Sequence, residues 1–332
     1  MNDKNSPDGA AEGKLTALLA AVGPREVPPA AVMADVRAAV EAEWRATVVR
    51  RHRWRQFTGW AAAAGVAVAA IAAWMAGAPQ GPGPEPVGTL ARVVGDLQQD
   101  AGDGRWAPLG TAGAVLNAGA RLRTGPAARA ALRLDAGVTV RLDTDTLIAF
   151  EDGGHATLAA GAVYVDSGAG NGPADFSLET PAGVVRHVGT QYEARLGDQG
   201  LRVAIREGRV QVVGPAGDLR AEAGEQLLLS GALAQRSRLA PTDPAWAWVS
   251  AITPPFDLEG RSVDSFLDWA ARETGRSVEY ASPSVAAQAR SVTLRGTVEG
   301  LTPDEAVAAV LSTTSLRPVV GDGSIRVELA AR

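Results

Sequence analysis

The stretch GTQYEARLGDQGLRVAIREGRVQVV, residues 189–213, decides the fold of the largest part of this chain. Three short runs in it, 191–196, 201–205 and 210–213, alternate between apolar and polar residues, which is the period of a β-strand. Between the runs lie Gly197-Asp-Gln-Gly200 and Glu207-Gly208, whose glycines allow the positive φ angles of tight turns. The stretch therefore predicts short strands joined by turns.

The same pattern continues on both sides of this stretch. Glycine and aspartate separate the runs, as in Asp135-Ala-Gly137 and Asp152-Gly-Gly154. The further strand-like runs are 90–97, 121–123, 130–134, 138–142, 162–166 and 226–229. We therefore expect an all-β domain over residues 88–238.

The period changes in the last part of the chain, residues 256–332. Residues 262–274 have the apolar spacing of a helix and end at Gly275, and Thr302-Pro303 is a typical helix start. Strand-like runs lie at 256–258, 278–280, 292–294, 317–320 and 324–329. The predicted order is βαββαββ, a small α+β domain. Residues 239–255, which include Trp246 and Trp248, are predicted to link it to the β domain.

Residues 57–78 contain no charged side chain, and as a helix they would span about 33 Å, enough for a hydrocarbon core of about 30 Å. Trp60 and Trp74 would lie near the two membrane interfaces. The basic residues cluster on the N-terminal side, at Arg50, Arg51, Arg53 and Arg55. By the positive-inside rule this predicts a single-pass protein of the lipid bilayer with a cytoplasmic N-terminus. The alternative for residues 57–78 is a buried alanine-rich helix in a soluble protein. Residues 79–87 are predicted to form a Pro/Gly linker.

The segment before the span, residues 1–56, is predicted to form a cytoplasmic tail with a helix over 30–55. Val36, Val40, Trp44 and Val48 recur every four residues and form an apolar stripe on that helix. A tail this short buries such a stripe poorly, so we expect a partner-binding surface with Trp44 as its anchor. Packing on the tail's own short helix or on lipid is the alternative.

Composition excludes several kinds of chemistry. The chain has no cysteine, three histidines and a net charge of -5, which argues against disulfides, thiolate catalysis and direct nucleic-acid binding. Asp143 and Asp145 alternate along a predicted strand and are interpreted as a solvated strand face. His187 is interpreted as a strand-face histidine, because the sequence nominates no nucleophile to accompany it. We expect no enzyme activity, no cofactor and no metal site.

Three motifs together resemble the core signature of FecR-type periplasmic sensors. They are Glu179-Thr-Pro-Ala-Gly183, Val188-Gly189-Thr190-Gln-Tyr-Glu193 and Arg206-Glu207-Gly208-Arg-Val210. Gly189, Thr190, Glu207 and Gly208 are the structural core of the signature, which covers roughly residues 88–238. Residues 256–329 resemble the short secretin/TonB N-terminal domain.

The resemblance implies a bacterial inner-membrane signalling protein whose C-terminus is periplasmic. Such proteins receive a signal from the signalling domain of an outer-membrane TonB-dependent receptor, often in iron or siderophore uptake. Their cytoplasmic tail binds an extracytoplasmic-function sigma factor as an anti-sigma factor, an activator or both. The alternative is an envelope scaffold whose β domain binds a periplasmic protein or glycan.

Overall fold

Strands dominate the structure, a computed structural model that describes residues 85–100, 104–168, 176–321 and 323–330. The predicted tail 1–56 and span 57–78, with the linker up to residue 84, lie outside the described residues. Within the described ranges, no helix combines the length and apolarity needed to cross a membrane.

Among the described residues between 86 and 238, fifteen strands connect into one β-sheet network. In chain order they are β1 (Pro86–Val94), β2 (Leu97–Asp100), β3 (Trp106–Pro108), β4 (Val115–Asn117), β5 (Arg121–Thr124), β6 (Arg129–Leu134), β7 (Thr139–Leu142), β8 (Leu147–Phe150), β9 (His155–Asp166), β10 (Ser177–Thr180), β11 (Gly183–Gly197), β12 (Gly200–Gly214), β13 (Gly217–Glu222), β14 (Glu225–Ser230) and β15 (Leu233–Arg238). The β-rich architecture agrees with the prediction, although several strands are longer than the runs that indicated them.

The long strand β9 pairs with different strands in its two halves. The first half of β9 pairs with β8 and β10, and its second half pairs with β7 and β11. Inward side chains from both halves belong to one buried cluster, which includes Leu158 and Val163 of β9. Burial of this shared apolar surface is the main force that holds the domain together.

Two opposed β-bulges interrupt the central hairpin of β11 and β12. Val188 pairs with Arg209 and Gln191 with Glu207, so β11 has one extra residue there. Tyr192 pairs with Ile205, so β12 has one extra residue between Ile205 and Glu207. Each extra residue shifts the alternation of a strand by one position. The buried core residues of β11 therefore have an odd number before its bulge, Val185, and even numbers after it, Tyr192 and Ala194. Those of β12 have odd numbers before its bulge, Val203 and Ile205, and even numbers after it, Val210 and Val212.

The segment after β15 folds onto the outer face of the sheet. A 3-10 helix, Pro244–Trp246, leads into the short helix α1 (Ala247–Ala251). Trp246, Trp248 and Ile252 pack in a second buried cluster with outward side chains of the sheet, among them Tyr164. The residues predicted as a link, 239–255, thus cover the sheet.

The C-terminal part contains three helices and a small three-stranded sheet. Its elements are α2 (Val263–Thr274), β16 (Ser277–Tyr280), α3 (Pro283–Ser291), α4 (Pro303–Ser312), β17 (Leu316–Val320) and β18 (Ser324–Leu329). The sheet order is β16-β18-β17, with β16 parallel to β18. The predicted βαββαββ order is wrong in detail. Helix α3 was not expected, and the runs at 256–258 and 292–294 contribute only isolated bridges at Asp257–Thr297 and Ser262–Thr293.

Capping residues determine where the helices of this part begin and end. The Thr302 hydroxyl accepts from the backbone N–H of Glu305, whose carboxylate accepts from the N–H of Thr302, which completes a capping box. Helix α2 begins after Ser262, whose hydroxyl accepts from the N–H of Ser265, and it ends at Gly275 with φ 69°. These boundaries confirm the predicted helix starts and stops.

Candidate functional site: a buried ionic interface

The outer face of the sheet presents charged residues in adjacent rows across its strands. One row follows the strand pairing from β6 to β12, and a neighbouring row runs parallel to it. The first row contains Ala131, Arg141, Tyr164, Glu193 and Ala204; the second contains Arg133, Thr139, Asp166, Gln191 and Glu207. Residues 239–255, the joining segment, and helix α2 lie on this face. Much of its charge is therefore removed from water.

Arg141 and Glu273 form the central ion pair of this interface. The Nη2 atom of Arg141 donates to both carboxylate oxygens of Glu273, at 2.8 and 2.7 Å. Its Nη1 atom donates to the carbonyl oxygen of Val249 and to the hydroxyl of Thr253, each at 3.0 Å. Only 1% of Arg141 is exposed to solvent. One guanidinium thus joins the β domain to the joining segment and to the end of helix α2.

Burial and charge act in opposite directions on Arg141. Burial lowers the pKa of its guanidinium, but Glu273, Tyr164 and Asp166 together outweigh burial, so the pKa lies above its ordinary value. The guanidinium also lies 5.3 Å from the Tyr164 ring centroid. Arg141 is therefore a permanent cation in this interface.

Arg206 connects the sheet with the backbone of both neighbouring segments. It donates from Nε to the carbonyl oxygen of Pro241 at 2.8 Å and from Nη1 to that of Glu273 at 2.9 Å. The guanidinium lies 5.3 Å from the Trp246 ring centroid. A Cβ atom on Gly275 would overlap the Pro241 carbonyl oxygen and reach 2.7 Å from Arg206 Nε. Gly275 therefore ends helix α2 and also allows Pro241 and Arg206 to approach the helix end closely.

Arg272 on helix α2 makes a second bridge to the sheet. It pairs with Asp166 of β9 at 2.5 Å and also with Glu207 of β12. Burial raises the pKa of Asp166, but the Arg272 charge and hydrogen bonds from Gln191 and the Gly168 N–H outweigh it, so this pKa lies below its ordinary value. Asp166 is therefore ionised at neutral pH.

Glu193 organises the other end of the interface. It is 1% exposed and accepts from the indole Nε1 of Trp248 at 2.8 Å and from Arg195 Nε at 3.0 Å. Arg202 also pairs with the same carboxylate. Two cations and an indole N–H thus compensate the burial of one carboxylate.

The signature residues lie at the bulges beside this interface. Gly189 and Gly208 have φ angles of 56° and 76°, and a Cβ atom on Gly208 would overlap the Gly189 carbonyl oxygen. Thr190 is fully buried, and its backbone exchanges hydrogen bonds with Ser167. Glu207 reaches Arg272, so the bulge positions one acid of the interface.

The other proposed site residues cannot be placed in this structure. Val36, Val40, Trp44 and Val48, proposed for partner binding, lie outside the described residues. So do the proposed membrane-interface residues, Trp60, Trp74, Arg50, Arg51, Arg53 and Arg55. Partner binding and membrane contact by these residues stay predictions.

Asp143 does not lie on a solvated strand face. It is 5% exposed and pairs with Arg129 at 2.8 Å and with Arg195 at 2.7 Å. Asp145 instead lies exposed in the turn after β7, with φ 53°. The expectation was wrong because Arg129 and Arg195 cover Asp143. Within the described ranges no group of three or more acidic or histidine side chains could hold a metal ion.

His187 is a strand residue, as expected, but it faces inward. Its ring lies 6.2 Å from the Phe176 ring and 5.7 Å from the Tyr192 ring, between centroids. Neither ring nitrogen has a hydrogen-bond partner among the described residues. Burial lowers the pKa of His187, and the Asp166 charge opposes this only in part. His187 is therefore neutral in the folded protein at neutral pH.

Sequence reasoning did not identify the residues of the interface. Arg141 lies on β7, Arg206 lies on β12, and Arg272 and Glu273 lie on helix α2. Arg141 and Glu273 are 132 positions apart. A weak signal was present, because charged residues occur inside strands of the sheet at positions that alternate with core residues. That pattern also fits a solvated sheet face, and only the placement of helix α2 distinguishes the two.

Comparison with known proteins supports one part of the predicted resemblance. Residues 120–211 match the family described as FecR protein, and this range contains all four signature residues. Two crystal structures of a "putative anti-sigma factor" from Parabacteroides distasonis ATCC 8503, at 2.50 and 1.65 Å resolution, are similar to this chain at 15% identity and a TM-score of 0.35. Each match covers 64% of this chain and 99% of the other. No curated protein matches the chain significantly.

The FecR resemblance is therefore confirmed over residues 120–211. The low structural similarity to the two crystal structures carries no conclusion about function. The resemblance of residues 256–329 to a secretin/TonB N-terminal domain stays a prediction.

Proposed function

We propose that this protein is a FecR-type transmembrane regulator that relays a periplasmic signal to an extracytoplasmic-function sigma factor. The observation that carries the proposal is the FecR match over residues 120–211, combined with an uncharged segment at 57–78 that follows an arginine cluster. In this proposal the chain crosses the inner membrane once, and residues 85–330 lie in the periplasm. The signal comes from a TonB-dependent receptor, in a pathway such as iron or siderophore uptake.

The interface described above suits a relay of this kind. A relay needs two states whose populations a partner can shift, and the partner must bind one state more tightly than the other. Contacts at the interface are largely ionic and directional, as in Arg141 with Glu273 and Arg272 with Asp166. A buried ion pair adds little net stability compared with apolar side chains of similar size, so in this proposal the docked arrangement is one that a partner can shift.

The cytoplasmic half of the proposal depends on the stripe of Val36, Val40, Trp44 and Val48. We would purify the tagged full-length chain from its native membranes and quantify co-purifying sigma factors by mass spectrometry. The Val40→Ala/Trp44→Ala variant should lose a sigma factor that the wild type retains, because the anchor side chains are truncated. The matched control is Asp35→Ala/Arg37→Ala, which changes residues off the stripe.

Topology can be tested separately from partner binding. Alkaline phosphatase fused after residue 85 should be active, and the same enzyme fused after residue 56 should be inactive, since it folds only outside the cytoplasm. The reverse pattern would overturn the proposed orientation. Correct topology with no sigma factor bound would instead favour an envelope scaffold anchored by its tail.

A further inference from the structure

A cleft of about 300 Å³ opens where the sheet, the joining segment and helix α2 meet. Strands β6 and β7 contribute Arg133 and Thr139, the joining segment contributes Pro254 and Pro255, and the C-terminal part contributes Phe256, Arg261 and Trp269. The buried pair of Arg141 and Glu273 also lines it. Ligand sites often lie at such junctions between domains, and this volume suits a small molecule.

Two cations in the cleft lack an acidic partner. Arg133 and Arg261 are exposed, and neither forms an ion pair within the part of the chain that the structure describes. Of the two acids that line the cleft, Glu273 is paired with Arg141, whereas Asp257 is exposed and forms no ion pair among the described residues. The three arginines of the cleft still exceed its two acids by one positive charge. The cleft therefore offers two free guanidinium groups, which bind carboxylates well.

An aromatic wall lies beside these cations. The rings of Phe256 and Trp269 have centroids 5.4 Å apart and an interplanar angle of 36°, and both residues are only partly buried. Arg261 lies 5.9 Å from the Phe256 ring centroid. An inorganic anion would leave this apolar surface in water, whereas an anion with an apolar body would cover it.

We propose that this cleft binds a small organic anion, a carboxylate attached to an aromatic or similar apolar body. Arg133 and Arg261 pair with the carboxylate, and Phe256 and Trp269 pack against the body. This ligand site goes beyond the proposed sigma-factor relay and does not depend on it.

Binding there favours the docked arrangement of the two parts. Arg133 belongs to the β domain, whereas Arg261 and Trp269 belong to the C-terminal part, so one ligand contacts both. A ligand that binds only when both walls are present stabilises their association by mass action. A small molecule bound in the cleft would therefore stabilise the arrangement in which the ionic interface is formed.

The test uses the full-length chain in detergent micelles and titration calorimetry with benzoate, acetate and benzyl alcohol. We expect saturable benzoate binding with a Kd of about 1 mM or lower, at least several-fold weaker binding of acetate, and no saturable binding of benzyl alcohol. The Arg133→Ala/Arg261→Ala variant should weaken benzoate binding at least about tenfold, because both carboxylate partners are gone. The control Arg209→Ala/Arg220→Ala removes two arginines that do not line this cleft and should leave the affinity unchanged.

Several outcomes would overturn the proposal. The first is that benzoate shows no saturable binding up to about 10 mM, and the second is that benzyl alcohol binds as tightly as benzoate. The third is that the Arg133→Ala/Arg261→Ala variant, with an unchanged unfolding midpoint, binds benzoate as tightly as the wild type. Tighter binding of a hexa-aspartate peptide than of benzoate would reject the small-molecule assignment and identify an acidic protein segment as the ligand.

Discussion

Arg141 and Glu273 form a two-point ion pair between the sheet and the last turn of helix α2, with both side chains almost fully buried. The first residue lies on β7 and the second is 132 positions later, in the C-terminal part. Removing two charges from water is unfavourable by several kcal/mol per ion, and the pairing of the two charges offsets this cost. The hydrogen bonds from Arg141 to Val249 and Thr253 contribute to that compensation.

Glu273→Ala should destabilise the folded chain by about 3–5 kcal/mol, because Arg141 would remain buried without its counter-ion. The measurement is the free energy of unfolding in urea, followed by tryptophan fluorescence. Glu328→Ala is the control, since Glu328 pairs with Arg317, whose side chain is 56% exposed, and such a pair contributes at most about 1 kcal/mol. Similar losses in both variants would contradict the role of burial.

Replacing both members of the pair should be far less harmful than replacing one. In Arg141→Met/Glu273→Leu no charge remains unpaired, and apolar side chains of similar size fill the space. We expect its stability to lie within about 2 kcal/mol of the wild type, with a large favourable coupling in the double-mutant cycle. A double variant as unstable as Glu273→Ala would show that packing around the pair, not charge, limits stability.

His187 should make stability depend on pH in the mildly acidic range. Its pKa is lowered in the folded state, so below the unfolded value of about 6.5 the unfolded chain takes up a proton that the folded chain does not. This contribution to stability is complete above that pH and is lost as pH falls towards the folded pKa. His187→Phe should therefore gain stability over the wild type as pH falls from about 7.5 to about 5.

Its control is His155→Phe. The His155 side chain is 59% exposed and lies 2.9 Å from Asp152. This variant makes the same histidine-to-phenylalanine change at an exposed position, so it shows the effect of the substitution without the loss of a buried imidazole. A His187→Phe variant with the same pH profile as the wild type would mean that other groups cause the acid sensitivity.

Local sequence signals predicted the elements that short-range chemistry determines. Thr302 marked a helix start because its hydroxyl caps an N–H group close to it in sequence. The same reasoning could have found α3, since Ser282 precedes Pro283 and its hydroxyl accepts from Val285. The short alanine-rich helix has only a weak apolar stripe, and the strand-like Val292 after it masked the pattern.

Features that depend on distant residues could not be predicted in this way. β11 appeared in the sequence as a short strand, 191–196, because the bulge at Gly189 shifts the alternation and hides the continuity with Gly183–Val188. The interface was hidden for a related reason. Arg141 has the same alternating position as an exposed strand residue, and it is buried only because Val249 and Thr253 of the segment after β15 and Glu273 of helix α2 contact it.

Gly208→Ala tests whether the paired bulges hold the hairpin in register. The new Cβ atom would overlap the Gly189 carbonyl oxygen and lie 2.6 Å from Thr190 Cγ2, at a φ of 76° that alanine adopts unfavourably. We expect a loss of at least about 2 kcal/mol in the free energy of unfolding, because both backbone strain and overlap must be relieved. Gly224→Ala separates these causes, since Gly224 has φ 81° with no atom near the added Cβ and should lose only about 1 kcal/mol. Equal losses would assign the whole effect to φ, and the close approach of the two bulges would then have no energetic role.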